Sequence, residues 1–469
     1  MRRAKLFQSR RRKPIAAGKF RCMPDLQGGV VEVATITERL GNLPLGRFHW
    51  RLLLIMCLGW AFDAMDTGII SFVLPKLIAA WSLSTAQVGA ISSAGLVGMA
   101  AGAMLGGTIA DYVGRKKVFA ATLVIYSLGT GACGLAWDYH SLLFFRFLVG
   151  FGLGGQLPVA ITLMSEYSPT HYRGRMIVLL ESAWAFGWLA ASVISYLLIP
   201  RFGWQIAFYI GALPALYVFY LWRAVPESAM FLMKKGRIEE AHALVSGIEL
   251  ELGVPQGDKP AQEEAAAAST AFSVVQLFRP LYLKRTVCLW ILWFCIVFSY
   301  YGIFLWLPTL LVKAGHDMVQ SFEFVLWMTV AQIPGYFTAA ALVDKIGRKA
   351  TMTLFLLGCA FTAYMFGNAV SATQIYLWGC LMSFFNLGAW GILYTYTPEL
   401  YPTEARSTGV GWAAGFGRIG GIAAPLVVAA MLTGPDQIPM VFMMFTAVLI
   451  IAALDILILG DETKRRSLN

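Results

Sequence analysis

An aspartate pair stands in the first long apolar stretch, Phe62-Asp63-Ala64-Met65-Asp66, and no basic residue interrupts the chain between Arg51 and Lys76. In a helix, Asp63 lies about 18 Å from each of those cations, the depth of a bilayer midplane. A carboxylate there costs at least about 2.5 kcal/mol unless it is paired, hydrated or protonated. Asp66 is three residues on and shares nearly the same helix face. Such a pair is suited to taking up and releasing a proton, and so to coupling proton movement to conformation. The alternatives are a carboxylate that caps a broken helix or one paired permanently with an arginine. Arg418 lies near the middle of a late apolar run, and its planar fork fits a carboxylate ligand. It is expected to face Asp63 or Asp66 across a cavity when empty and substrate when loaded; a permanent structural bridge is the competing reading. Arg146 would relay protons or brace the first helix. Glu181 lies about two turns inside its run, on the proton path or snorkelling to the surface. Asp455 is closer to its helix end and reads as structural.

The surroundings of these charges define the solvent. Hydrophobic residues make up 58% of the 469 and charged residues 13%, a balance no soluble enzyme could cover with polar surface. Apolar runs near bilayer length fall at about 52–74, 87–110, 118–136, 141–165, 176–198 and 203–222, and again at about 286–310, 322–343, 350–367, 373–396, 407–431 and 439–459. The fold class expected is an all-α membrane protein of twelve spans in two six-helix bundles. The net charge of +11 is not a nucleic-acid signal, because its placement follows membrane orientation. Arg115, Lys116, Lys117, Arg173, Arg175, Lys345, Arg348, Lys349 and Arg406 fall on one set of loops, against Lys76, Arg201 and Lys313 on the other. The positive-inside rule therefore puts both termini in the cytoplasm.

The expected organisation is a basic cytoplasmic tail over 1–50, a first bundle over 51–222, a cytoplasmic central loop over 223–285, a second bundle over 286–460 and a tail over 461–469. The tail opens basic and without an apolar core, so it is not a secretory signal and reads as disordered; a transit peptide or a start at Met23 are the alternatives. In the central loop, Pro226-Glu227-Ser228 opens a stretch through Leu244 expected to lie as an amphipathic helix on the membrane surface. The acidic, alanine-rich run from Gln262 to Ala268 reads as a linker. The seven cysteines and five histidines form no close pairs and no metal-ligand set.

The two halves repeat each other at an offset of 233 residues. Asp111, Gly114, Arg115 and Lys116 return as Asp344, Gly347, Arg348 and Lys349; Glu166, Pro169, Thr170 and Arg173 return as Glu399, Pro402, Thr403 and Arg406; Leu74-Pro75 returns as Leu307-Pro308. Parallel repeats in a membrane protein point to a transporter that rocks about a central site. In each D-x-x-G-R-K loop the glycine permits a tight turn and the arginine can pair with a carboxylate at a neighbouring helix end. Asp111, Arg115, Glu166 and Arg173, with Asp344, Arg348, Glu399 and Arg406, are thus expected to form a cytoplasmic gate that holds the outward-facing state.

On these motifs the chain resembles the major facilitator superfamily. Gly107 to Lys117 is similar to that family's loop between helices 2 and 3; Arg146 with Gly150, Gly152, Gly154 and Gly155 to its helix 4 motif; Pro226-Glu227-Ser228 and Pro398 to Thr403 to motifs of sugar porters and organic-ion transporters. Ser299 to Pro308 replaces the Gln-rich helix 7 signature of sugar porters. That run, with Phe62 to Asp66, resembles bacterial niacin transporters and the synaptic vesicle glycoproteins, and aromatic-acid/proton symporters carry a similar acidic pair. Gly417-Arg418-Ile419-Gly420 with Pro425 resembles organic-anion carriers, whose basic residue there contacts the anion. The resemblance implies a central site lined by Trp60, Phe298, Tyr300, Tyr301, Asn386 and Trp390 with Arg418, where a flat heteroaromatic acid would stack on rings. Asp63, Asp66, Arg146 and Glu181 would carry the proton coupling.

The expectation is a proton-coupled importer of a small organic anion, nicotinate first, sited as a monomer in the cell inner (plasma) membrane. Its partners are the anion, the proton and lipid, with no nucleic acid, no cofactor, no metal and no catalytic residue. A benzoate-type acid, an organic cation or a sugar are alternative cargoes, and a ligand-binding membrane receptor is the alternative from another class. No P-loop and no nucleophile–base cluster is visible, which argues against an ATP-driven pump or an enzyme.

Overall fold

The computed structural model describes residues 22–24, 30–32, 35–255, 274–432 and 434–464. The run from Gln262 to Ala268, most of the amino-terminal tail and the end of the carboxyl tail lie outside the described residues. A two-stranded ribbon, β1 (Cys22–Pro24) and β2 (Val30–Glu32), precedes a short helix α1 (Ile36–Gly41). The first half then crosses as α2 (Arg47–Trp81), α3 (Thr85–Val113), α4 (Arg115–Gly134), α5 (Tyr139–Tyr167) and α6 (Arg173–Phe202). Its sixth span is broken at Leu213, ahead of Pro214, into α7 (Gln205–Ala212) and α8 (Pro214–Ala224). Two short helices follow, α9 (Ala229–Lys234) and α10 (Ile238–Glu251). The second half is α11 (Pro280–Lys313), α12 (Met318–Ile346), α13 (Arg348–Gly367), α14 (Ala372–Glu399), α15 (Thr403–Met431) and α16 (Ile438–Ile458). Among the described residues, twelve spans are long and apolar enough to cross a bilayer.

Most helices outrun their apolar runs, because backbone pairing continues into polar flanks that cap it. Ser84, Asp138 and Ser371 each accept a hydrogen bond from the backbone three residues on, at the starts of α3, α5 and α14. Small residues set the interhelical distance. A Cβ added at Gly98 would sit 2.1 Å from the Phe147 carbonyl oxygen, and one at Gly154 would sit 2.0 Å from that of Met99, so α3 and α5 touch backbone to backbone. In the second half, Gly335 of α12 meets the Phe384 carbonyl of α14 in the same way, at 2.1 Å.

Two expectations about the loops change. The stretch after Ser228 is not one helix lying on the membrane. It breaks at Gly236, whose φ is +74°, and its apolar residues Phe231, Leu232, Ala241, Val245 and Ile248 are buried against protein. Residues 35–50 are structured as well. Arg39 of α1 is buried and donates to both Glu249 carboxylate oxygens at 2.9 and 2.7 Å, and to Ser246 at 3.0 Å, which pins α1 to α10.

Candidate functional site: a chamber open to one side

The two bundles touch along one end and part along the other. At the end away from the basic loops, Ser192 and Thr329 share a hydrogen bond of 3.0 Å between α6 and α12, and Ser93 donates to the Ile422 carbonyl at 2.8 Å between α3 and α15. Phe72 and Phe322 meet edge-to-face there. Toward the basic loops a cavity of about 560 Å³ opens between α6, α12 and α14. Arg175, Asp344, Arg348, Glu399 and Arg406 rim its mouth, and Glu181, Tyr336 and Tyr394 line it further in.

Above the chamber lies a dense aromatic cluster drawn from both bundles. Trp184 donates its indole N–H to the Tyr300 hydroxyl at 2.8 Å, α6 to α11, and also packs on Trp60 at a centroid distance of 4.9 Å. Tyr300 packs on Trp390 at 5.2 Å, and Trp390 reaches Tyr394 on the chamber wall at 6.1 Å. Arg418 of α15 is half-buried at this level. It lies close to the Tyr301 hydroxyl without reaching bonding geometry and is an electrostatic neighbour of Glu181 and Tyr394. Trp60, Tyr300, Tyr301, Trp390 and Arg418 are therefore gathered in one region.

Two residues expected there lie elsewhere. Asn386 turns into its own bundle, 3.5 Å from both Ser299 and Cys359. Phe298 stacks on Phe294 and packs against Phe445, between α11 and α16. Both sit on helix faces turned from the seam, a rotation that position along a run does not reveal.

The charges pair differently from expectation. Asp63 and Asp66 do not face Arg418. They are buried inside the first bundle, where Asp66 accepts from Arg146 at 3.3 Å and from the Thr130 hydroxyl. Arg146 thus braces α2 through a carboxylate. Neither oxygen of Asp63 has a hydrogen-bond partner among the described residues, although the Tyr126 hydroxyl lies close by without reaching bonding geometry. Nor does Glu181 snorkel outward: it is 3% exposed and faces Arg418, with no ion pair within 4.0 Å joining them among the described residues. Asp455 is buried beside Cys288, with both oxygens unpartnered among the described residues.

At the basic-loop end, each half carries the same latch. Arg115 pairs with Glu166, and Arg348 with Glu399 at 2.9 Å. Asp111 and Asp344 are exposed and lie four residues before those arginines, across the glycine turn, at 3.8 and 3.6 Å. Gly114 and Gly347, at φ +113° and +97°, make the turns. Both latches tie helices within one bundle, so none of these pairs bridges the two, in keeping with the open mouth. Arg173 and Arg406 stand apart from the latches; Arg406 donates to the Pro398 carbonyl at 3.1 Å.

A third member of each latch was not anticipated as such. Glu227 accepts from the backbone N–H groups of Arg115 and Lys116 at 2.8 and 3.1 Å, and Glu462 accepts from those of Arg348 and Lys349 at 3.0 and 3.1 Å. Ser228 and Thr463 then donate to Glu166 and Glu399, at 2.6 and 2.5 Å. The signal was present as Glu227-Ser228 and Glu462-Thr463, but at an offset of 235, two residues off the register of the other repeats. Glu462 lies beyond the last span. Burial works against its ionisation, yet the backbone N–H groups of Lys464, Arg348 and Lys349 hold its carboxyl below the usual range.

Comparison with known proteins places this geometry among transporters. The family described as sugar (and other) transporters matches residues 36–469. The niacin transporter NiaP of Acinetobacter baylyi is 55% identical over 433 residues, covering 92% of this chain and 98% of that protein. A Bacillus subtilis protein provisionally named a niacin/nicotinamide transporter is 46% identical, covering 89% and 97%. Among solved structures, a partially occluded inward-open conformation of the xylose transporter XylE from E. coli superimposes with a TM-score of 0.72 at 20% identity, over 90% of this chain and all of that one.

Proposed function

Because this chain belongs to the sugar (and other) transporter family of the major facilitator superfamily, and is a multi-pass plasma-membrane transporter rather than an enzyme, we propose that it imports nicotinate together with a proton by alternating access. The observation that carries the reading is Arg418, a cation at the level of the aromatic cluster, beside Tyr301 and the chamber-wall residues Glu181 and Tyr394, and not joined to any carboxylate within 4.0 Å among the described residues. A flat heteroaromatic acid meets such a site with its ring on Tyr301 and Trp390 and its carboxylate on the guanidinium. Nicotinate is also the vitamin in the name of the relative that is 55% identical.

The mouth at the basic loops would be the cytoplasmic one, by the positive-inside rule, and the state described here would be inward-facing. Rocking would break the Ser192–Thr329 and Ser93–Ile422 contacts and bring the latch ends of the two bundles together. Proton coupling would fall to Asp63, Asp66 and Arg146. An unpartnered carboxylate next to an ion pair can take or give a proton while Arg146 adjusts its hold on α2. This replaces the expected competition between those aspartates and substrate for Arg418.

A benzoate-type acid is the second reading, since Arg418 asks only for a carboxylate and the rings only for a flat partner. Uptake of labelled nicotinate, nicotinamide, benzoate, choline and glucose into proteoliposomes across pH decides among them. Nicotinate should be favoured, its entry should carry protons, and Asp63→Asn should uncouple the two. Nicotinamide competing as well as nicotinate would remove the carboxylate argument.

A further inference from the structure

The inference rests on the reading above, with the substrate carboxylate on Arg418, and concerns what meets the rest of the ring. Glu181 is the one carboxylate lining the inner part of the chamber among the described residues; Asp344 and Glu399 belong to the rim. It is 3% exposed, and its Oε1 has no hydrogen-bond partner among the described residues. A buried carboxyl with an idle oxygen is costly to keep and calls for a partner.

The groups that face it supply none. Cys57 comes from α2, Tyr301 from α11, Tyr336 from α12, Tyr394 from α14 and Arg418 from α15. Tyr336 spends its hydroxyl on the Val178 carbonyl at 3.1 Å, and Arg418 is not in contact. Glu181 and Arg418 therefore form two separated poles, one on each bundle. Neither is duplicated by the internal repeat, for the counterparts are Ala414 and Ala185. A ligand that joins them needs an anionic group at one edge and a hydrogen-bonding atom at another.

We propose that Glu181 is a specificity-determining residue that recognises the ring nitrogen of a pyridine carboxylate, one proton being shared between its oxygen and that nitrogen, while Arg418 holds the carboxylate. The proton arrives on either partner and no other bond changes. A benzene ring offers nothing to Glu181 and leaves its oxygen idle. Nicotinamide offers the nitrogen but no anion for Arg418. The two poles would thus select for both features at once, and the loaded chamber would tie the bundles through the ligand.

The test uses the full chain in proteoliposomes, with nicotinate, benzoate and nicotinamide as the probes. Glu181→Leu should cut the preference for nicotinate over benzoate about tenfold or more, the value of a lost hydrogen bond to a charged group. Glu181→Gln, whose amide N–H donates to the ring nitrogen at any pH, should restore the preference and flatten its pH dependence. Equal weakening of both acids in Glu181→Leu overturns the proposal. If that variant does not reach the membrane, an unchanged pH profile in Glu181→Gln overturns it instead, and a flattened one supports it. A wild-type chain that carries both acids with a preference unmoved by Glu181→Leu sinks this inference alone. One that carries neither sinks the nicotinate reading and this inference with it.

Discussion

The two halves share a backbone plan and divide the chemistry. Where the first bundle buries Asp63, Asp66, Tyr126, Thr130 and Arg146, the second has Ile296, Ser299, Cys359, Ala363 and Gly379 at the matching positions. The exchange is managed by volume. Arg146 lies over Gly95, 3.5 Å from where a Cβ would stand; in the second half Met328 fills the space above Gly379. Likewise Trp188 packs on Gly68 in the first half, and Tyr301 on Gly421 in the second. Each swap puts the large residue on the opposite helix of the pair, so the interhelical fit survives a complete change of polarity. The latches, by contrast, keep the same kinds of partner in both halves: an arginine on a glutamate, a second glutamate on the backbone N–H groups of the turn, and a hydroxyl between them. Under the proposed alternating access each bundle would move as a rigid body, which favours symmetry at the ends, whereas the proposed coupling would need the two interiors to differ.

That contrast can be broken experimentally. The largest effect is expected from Arg146→Met, which leaves Asp66 buried without its cation and should cost about 3–5 kcal/mol, read as a fall in Tm of the purified protein. Importing the second half's solution, Asp66→Ser with Gly95→Met and Arg146→Gly, should recover most of that Tm while abolishing proton movement with substrate. A triple variant as unstable as the single one would refute the exchange. Next, Arg418→Ala should lower kcat/KM for nicotinate uptake at least thirtyfold, from about 2–5 kcal/mol for truncating one side of a desolvated charged contact.

Smaller effects test the symmetry of the latches. Glu166→Gln and Glu399→Gln should each cost about 1 kcal/mol, because both pairs are partly exposed to solvent. Equal falls in Tm support equivalent latches; unequal ones break the comparison. Removing the Thr329 hydroxyl with Thr329→Val deletes one neutral hydrogen bond across the closed seam, about 1 kcal/mol. It should shift the population toward the opposite-facing state about fivefold, measured by labelling of a cysteine placed in the seam. The smallest effect concerns pH. A carboxyl held below its unfolded value contributes stability above that value and loses it as pH falls through its folded one. Glu462 should therefore leave Tm level between about pH 8 and 5 and add a decline below that window, whereas Glu462→Gln should lower the plateau slightly and remove the decline.

Twelve spans, two bundles and the paired latches were legible in the amino-acid order, because a span needs about 20 apolar residues and a repeat needs only a constant offset. Depth was legible too, since distance from the flanking cations places Asp63 and Asp66, and position within its apolar run places Arg418, deep in their helices. Azimuth was not. Which way a residue faces depends on how its helix is rotated against its neighbours, and in a helix apolar on all sides no periodicity marks the inner face. Asp63 and Arg418 share a depth yet face different interiors, and Glu181 took the place opposite Arg418 that the aspartates were expected to hold. Asn386 and Phe298 turned away for the same reason. Composition and order thus decided the solvent, the number of crossings and the doubled plan; rotation of close-packed helices about glycine contacts decided which charges meet.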